Sequence, residues 1–224
     1  MAPISSQSSV AYEQIKNMIL RMELLPGMRI PELQISNKLS ISRTPIHDAL
    51  RRLESEGLVT ISHNKGAVVT RFSEDEIKQI GALRLSQDIL AAQLASYYGS
   101  ASDFEKLSRL ADECEEAASK GDVYKRIQTD MDFHMAITSI SKNPFLINQQ
   151  YAIYQQIHLI QVSQYTDVQQ SLIQIHHHRP IIEAIRKGDL EEIRSLICQH
   201  IKDFYRIDPY LLKCYSGVVV SSAS

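Results

Sequence analysis

The chain has 224 residues, with 24 Lys/Arg against 26 Asp/Glu and a formal net charge of −2. Hydrophobic content of 44% and charged content of 22% are ordinary globular usage, which excludes a disordered, collagen-like or disulfide-scaffold protein and leaves room for one or two domains. A charge near zero also argues mildly against a nucleic-acid partner, until its distribution along the chain is considered.

The charge is not evenly spread. Residues 1–72 carry nine Lys/Arg and six Asp/Glu, a net of +3, and residues 73–224 carry fifteen and twenty, a net of −5. Six of the eight histidines follow residue 130. Two domains, 1–72 and 73–224, are expected. The polar stretch Met1–Ser9 has no apolar segment to act as a signal peptide, and no run reaches a membrane span, so a cytoplasmic protein with no membrane partner is expected. The cysteines, Cys114, Cys198 and Cys214, are far apart and form no C-x-x-C pair, which fits buried thiols in a reducing compartment.

In the first part, Val10, Ile15, Ile19 and Met22 have the spacing of one helical stripe, ended at Leu25-Pro26-Gly27. A short helix is expected over Glu32–Leu39, a turn at Ser40-Ile41-Ser42, and a second helix over Thr44–Glu56, with Pro45 in its first turn and Gly57 closing it. Leu58–Ser62 and Ala67–Thr70 read as short strands joined at His63-Asn64-Lys65-Gly66. Two short helices, a tight turn and a hairpin make a winged helix-turn-helix.

In its second helix, Ile46, Ala49, Leu50 and Leu53 form a core face, while Arg43, His47 and Arg51 fall on a different stripe beside Thr44. A basic stripe of this size fits the major groove, where Arg bridges base acceptors, and a helix amino end favours phosphate. The hairpin tip, His63, Lys65 and Gly66, would reach the backbone or minor groove. A solvated basic face is the plain alternative.

The second part reads as about six helices, over 74–98, 103–119, 123–140, 144–163, 168–187 and 190–206, giving a mainly α chain with an all-α helical bundle. Ser73/Glu76 and Ser102/Glu105 match capping boxes, Asp189/Glu192 resembles one, and Asn143-Pro144 offers a cap before a first-turn proline. The tail from Gly217 reads as a small strand or a frayed end. Asp130 and His134, four apart, share a helix face. His178 lies ten residues before Gly188 and His200 twelve after it, so an antiparallel pair brings them to similar heights. One carboxylate and three imidazoles from three helices would suit zinc or nickel, then manganese or iron. Spacing leaves open which of His176, His177 and His178 points inward, and His158 has no argument beyond its type.

Ser42-Arg43-Thr44-Pro45, followed by Ile46-His47-Asp48-Ala49-Leu50-Arg51-Arg52-Leu53-Glu54 and Glu56-Gly57-Leu58, resembles the DNA-binding domain of the GntR family, as do Pro26-Gly27 and Gly66-Ala67-Val68-Val69. The family usually has Arg where His47 and Leu33 stand, which implies a different operator and, through His47, pH-dependent affinity. The second part resembles the FCD effector domain of the FadR subgroup, through Asp130-x-x-Phe133-His134, Asn143-Pro144-x-Leu146, His178-Arg179-x-Ile181-Ile182-x-Ala184-Ile185 with Gly188-Asp189, and His200. That resemblance implies Asp130, His134, His178 and His200 as ligands of a divalent metal and Arg84 as an effector-pocket residue, with surface ion pairing as its alternative. Asp88 replaces the usual Glu after that arginine, so an Arg84–Asp88 pair is expected. Pro180 departs from the pattern and is expected to kink its helix.

The chain is therefore expected to be a bacterial transcription regulator, a homodimer on double-stranded operator DNA, whose affinity is altered by a small carboxylate bound at the metal. A purely structural or directly sensed metal is the alternative. A metalloenzyme is disfavoured, because no general base stands beside the ligands and no Ser-centred elbow, phosphate-binding loop or H-E-x-x-H motif occurs.

Overall fold

The computed structural model describes residues 6–62, 66–164 and 178–215. His63 and Lys65 of the expected hairpin tip, His176 and His177, the expected helix before His178 and the tail from Gly217 lie outside the described residues. The described helices are α1 (Ser6–Leu20), α2 (Glu32–Leu39), α3 (Arg43–Ser55), α4 (Glu74–Tyr98), α5 (Ala101–Ser119), α6 (Val123–Ile140), α7 (Pro144–Gln164), α8 (His178–Lys187), α9 (Leu190–Tyr205) and α10 (Pro209–Tyr215). Strands β1 (Val59–Ser62) and β2 (Gly66–Val69) pair antiparallel, with Val59 opposite Val69 and Ser62 opposite Gly66. The chain divides into two compact units. One holds residues through Phe72 with Tyr154–Gln164, and the other holds Ser73–Ile153 with the later described residues.

In the first unit α1 packs on α3. The buried face of α1 is Ala11, Tyr12, Ile15 and Ile19. Val10, expected on that stripe, is 49% exposed; the Ile15–Ile19 repeat continues backward through Ala11, four positions earlier, and Val10 falls about 100° away. The opposing face of α3 is Ile46, Ala49, Leu50 and Leu53, all buried. Tyr12 donates to the buried Glu56 carboxylate at 2.7 Å, and Arg52 lies over the Tyr12 ring at 3.7 Å while its Nε reaches Glu56 at 3.3 Å. This closes the α1–α3 contact with a paired charge. The α2–α3 turn is held by Ser40 in the left-handed region and by the Ser36 hydroxyl donating to the Ile41 carbonyl at 2.6 Å. Gly57, at φ +78°, ends α3 where a side chain would be strained and sends the chain into β1.

In the second unit α5 and α6 form a helical hairpin, α4 lies against α6 and α9, and α8 packs on α9, α4 and α5. Ser73 and Glu76 form the expected capping box of α4. The box on α5 is Ser100 with Asp103, not Ser102 with Glu105: helix geometry begins one residue after Ser100, and Asp103 then stands at the third helical position, where it reaches back to the Ser100 N–H. Asn143 Oδ1 accepts from Phe145 and Leu146 N–H at the start of α7. Pro180 is the third residue of the described helix α8, and the residues before His178, which bear on the expected kink, lie outside the described residues. The short helix α10 was not expected; its seven residues bury none of their side chains, so no apolar stripe announces it.

Candidate metal centre

Three helices of the second unit bring four polar side chains to one point. Asp130 and His134 are adjacent turns of α6, His178 opens α8 and His200 lies on α9, all buried. The α8–α9 link sets the heights of the last two. Gly188 takes φ +71° with open space around it, so glycine serves the turn itself.

The ligand atoms of these four residues lie within 4.8 Å of one another. His134 Nε2 faces His200 Nε2 at 3.0 Å, and His178 Nε2 stands 3.1 Å from Asp130 Oδ1. Asp130 Oδ1 is 3.9 Å from His134 Nε2 and 4.0 Å from His200 Nε2. Two donors on one ion, each at roughly 2.0–2.2 Å, stand at most about 4.4 Å apart, so these four separations already suit a shared cation. Neither ring nitrogen of His178 has a hydrogen bond among the described residues, and the Phe133 ring stacks on it at 4.2 Å to fix its plane. A wholly buried imidazole whose ring nitrogens lack an aligned hydrogen bond calls for a further partner, and a bound cation would be one. The donor set therefore fits a divalent ion.

The electrostatics agree. Burial favours the protonated acid at Asp130, but His178, the neighbouring His134 and the Arg84 guanidinium outweigh it and hold the carboxyl well below its usual range. Burial and then the Arg84 charge hold His134 well below the ordinary imidazole value. An ionised carboxylate and a neutral ring are the forms that bind metal.

Around the ligands lies a buried polar layer. Arg84 is 2% exposed, not a surface residue. Its Nε donates to Asp88 Oδ2 at 3.1 Å, its Nη1 to the Tyr205 hydroxyl at 3.1 Å, and its Nη2 lies 3.9 Å from Asp130 Oδ2. Asp88 also accepts from Gln150 Nε2 at 2.6 Å and stands 3.5 Å from His134 Nδ1. The Thr138 hydroxyl, one turn beyond His134, reaches Gln150 Oε1. The roles of Gln150 and Tyr205 carried no sequence signal: a lone Gln and a lone Tyr mark nothing until the fold places them. A cavity of about 10 Å³ adjoins the site, lined by Asp88, Ala91, His134, Ile137, Ile181 and Ile197.

The first unit presents a second polar face. Ser42, Arg43, Thr44, His47 and Arg51 are all exposed on α3 or at its start. Ser42 makes no side-chain cap to the helix. His47 Nε2 lies 3.5 Å from Glu32 of α2. Gly66 opens β2 at the base of the wing, with the Arg29 guanidinium 3.5 Å from where a Cβ would stand.

Residues 7–69 match the family model described as bacterial regulatory proteins of the gntR family, and residues 79–203 match that of the FCD domain. The chain is 27% identical over 199 residues to the HTH-type transcriptional regulator YdhC of Bacillus subtilis, spanning 85% of this chain and 89% of that protein. It is 25% identical over 182 residues to the Nta operon transcriptional regulator of Aminobacter aminovorans, spanning 80% and 84%. Among solved structures, E. coli McbR/YncC superposes with a TM-score of 0.76 at 21% identity, over 90% of this chain and 98% of that one. A GntR transcriptional regulator from Rhodococcus sp. RHA1 superposes with 0.78 at 18% identity, over 94% and 100%. At these identities the structural likeness speaks for the fold alone. No helix among the described residues is long and apolar enough to cross a membrane.

Proposed function

The chain belongs to the GntR family and joins its DNA-binding domain to an FCD domain, and on that premise we propose a regulator whose grip on operator DNA is set by a divalent metal and a small carboxylate in the helical unit. Its being a DNA-binding transcriptional regulator of this family, and not an enzyme, follows from the matched domains and the regulators it resembles.

Arg43, Thr44, His47 and Arg51 would face base edges from α3, with Ser42 at the phosphate-facing amino end and His63, Lys65 and Gly66 of the wing on the backbone or minor groove. The unit's net charge of +3 is modest. A homodimer with two such units on a two-fold operator would supply the affinity that one lacks.

In the helical unit Asp130, His134, His178 and His200 would hold the ion, zinc or nickel ahead of manganese or iron. When bound, the metal supplies open positions that an anionic ligand can occupy. Arg84 orients Asp130 and Asp88, and Asp88 with Gln150 fixes the His134 ring. Arg84 would also attract the carboxylate. The carrying observation is the convergence of four buried donors within 4.8 Å.

A second reading keeps the ion and drops the acid. It is favoured by the tightness of the site, since a cavity of about 10 Å³ holds about one water and Arg84 is already engaged on three sides. The ion would then be structural, or itself the signal. Calorimetry separates the two: metal-loaded protein titrated with small mono- and dicarboxylates should bind one of them with an affinity that Arg84→Lys weakens. Absence of binding across the set, with unfolding on metal removal, favours the second reading.

A further inference from the structure

Glu32 brings a carboxylate to the polar face of α3. It is the first residue of α2. Its Oε2 lies 3.5 Å from His47 Nε2, and its Oε1 lies 3.8 Å from where a Cβ would stand at Gly66 of the wing. The helix dipole favours an acid in a first turn, which accounts for a Glu at the start of α2 but not for its facing His47. On a DNA-facing surface an acid also repels phosphates. The Arg29 guanidinium, 3.5 Å from the same Cβ position, offsets part of that charge.

His47 offers what an arginine cannot. A guanidinium has donors only, and it reads the O6 and N7 acceptors of guanine. A neutral imidazole has one donor and one acceptor, and the partner of one nitrogen decides which is which. A carboxylate only accepts, so the nitrogen turned toward Glu32, Nε2, is the one that carries the proton. Nδ1 is left with a lone pair. The His47 side chain is 59% exposed, which leaves room for a partner from outside the chain.

We propose that Glu32 is a specificity-determining residue: by holding the proton on His47 Nε2 it makes Nδ1 a hydrogen-bond acceptor, which reads the exocyclic amino group of one cytosine or adenine in the major groove. This rests on the reading above that α3 faces base edges, and it names the chemistry read at one of them. Cytosine N4 and adenine N6 are the amino donors presented in that groove. The opposite tautomer would seek an acceptor instead, as an arginine does. Glu32 acts through His47 as a positioning residue and needs no contact with DNA of its own.

The test uses the full chain and double-stranded DNA at about pH 8, which favours a neutral imidazole. Selection from a random-sequence pool first locates the base pair whose identity changes between the wild type and His47→Arg. Duplexes altered at that pair then report the atom. Pyrimidin-2-one in place of its cytosine, or purine in place of its adenine, removes the amino group, and a 7-deazapurine removes N7. The wild type should bind the amino-deleted duplex about fivefold more weakly than the parent and the N7-deleted duplex equally well. In Glu32→Ala the amino-deletion ratio should fall close to one; the same duplexes serve both proteins, so any effect of the analogue on the DNA itself cancels. Glu32→Lys, whose ammonium donates to Nε2 and drives the proton to Nδ1, should reverse the pattern. A merely structural Glu32 would not give that reversal, and it can be read even if Glu32→Ala fails to fold. The proposal is overturned if loss of N7 and not of the amino group weakens the wild type, or if either Glu32 variant keeps the wild-type pattern. Selected sites that change in neither His47→Arg nor Arg43→Ala would instead remove base reading by α3, and this proposal with it.

Discussion

Asp88 stands behind His134. Its Oδ2 lies 3.5 Å from His134 Nδ1, while Nε2 of the same ring faces His200 at 3.0 Å. A carboxylate on one ring nitrogen fixes the tautomer and leaves a lone pair on the other. Asp88 is itself held by Arg84 and by Gln150 from α7. Asp88→Asn, which keeps the shape and removes the charge, should weaken zinc or nickel binding by about 10- to 100-fold, measured by competition with a chromophoric chelator. Unchanged affinity would show that the pair does not orient the ligand.

The ligand set can be tested directly. His134→Ala combined with His200→Ala removes two of four donors and should lower bound metal from about one ion per chain to near zero by elemental analysis. Binding of the metal-free protein to DNA should persist, because the face on α3 belongs to the other unit. Equal loss of fold and DNA binding would mark the ion as structural.

Arg84 donates to both Asp88 and Tyr205, and it lies beside Asp130. Arg84→Ala leaves two buried carboxylates without it and should cost about 3–5 kcal/mol in urea unfolding of the metal-free protein. Arg84→Lys keeps the charge and loses the fork, so its loss should be smaller.

Tyr205 is held to α4 by packing as well as by Arg84. A Cβ at Gly81 would overlap Tyr205 Cβ and stand 2.6 Å from its Cγ. Gly81→Ala should therefore lower stability by about 1–3 kcal/mol, read as a reduced thermal midpoint. The gain in helix propensity, about 1 kcal/mol, offsets only part of it. A stabilised variant would mean that α4 and α9 can separate at no cost.

Much of this was legible in the sequence, for identifiable reasons. The helices of the second unit announce themselves through caps and apolar repeats, as at Ser73/Glu76 and Asn143. The face of α3 divides cleanly because its apolar and basic residues have the same period in different phase. Asp130 and His134 were readable because four residues make one turn. What could not be read depends on tertiary placement. Val10 lies one position off the buried stripe of α1, and only packing on α3 selects Ala11 and Tyr12. Arg84 looks like a surface ion-pair residue until α6 and α9 close over it. Gln150 reaches Asp88 across 62 residues of chain, a distance no local pattern spans. The net charge of −2 averaged a basic unit and an acidic one, and so hid the nucleic-acid partner.

A helical site that governs the grip on DNA makes operator affinity depend on its ligands. The most direct measurement is fluorescence anisotropy with DNA from the protein's own upstream region. It compares metal-loaded and chelated protein, with and without a panel of small carboxylates, with Arg43→Ala and the His134/His200 double variant alongside. Binding should be salt-sensitive and sequence-specific and should weaken by about 10- to 100-fold in Arg43→Ala, and one acid should shift the affinity by about fivefold or more only in metal-loaded protein with all four ligands intact. Operator affinity that is the same with or without metal and with every acid would contradict it.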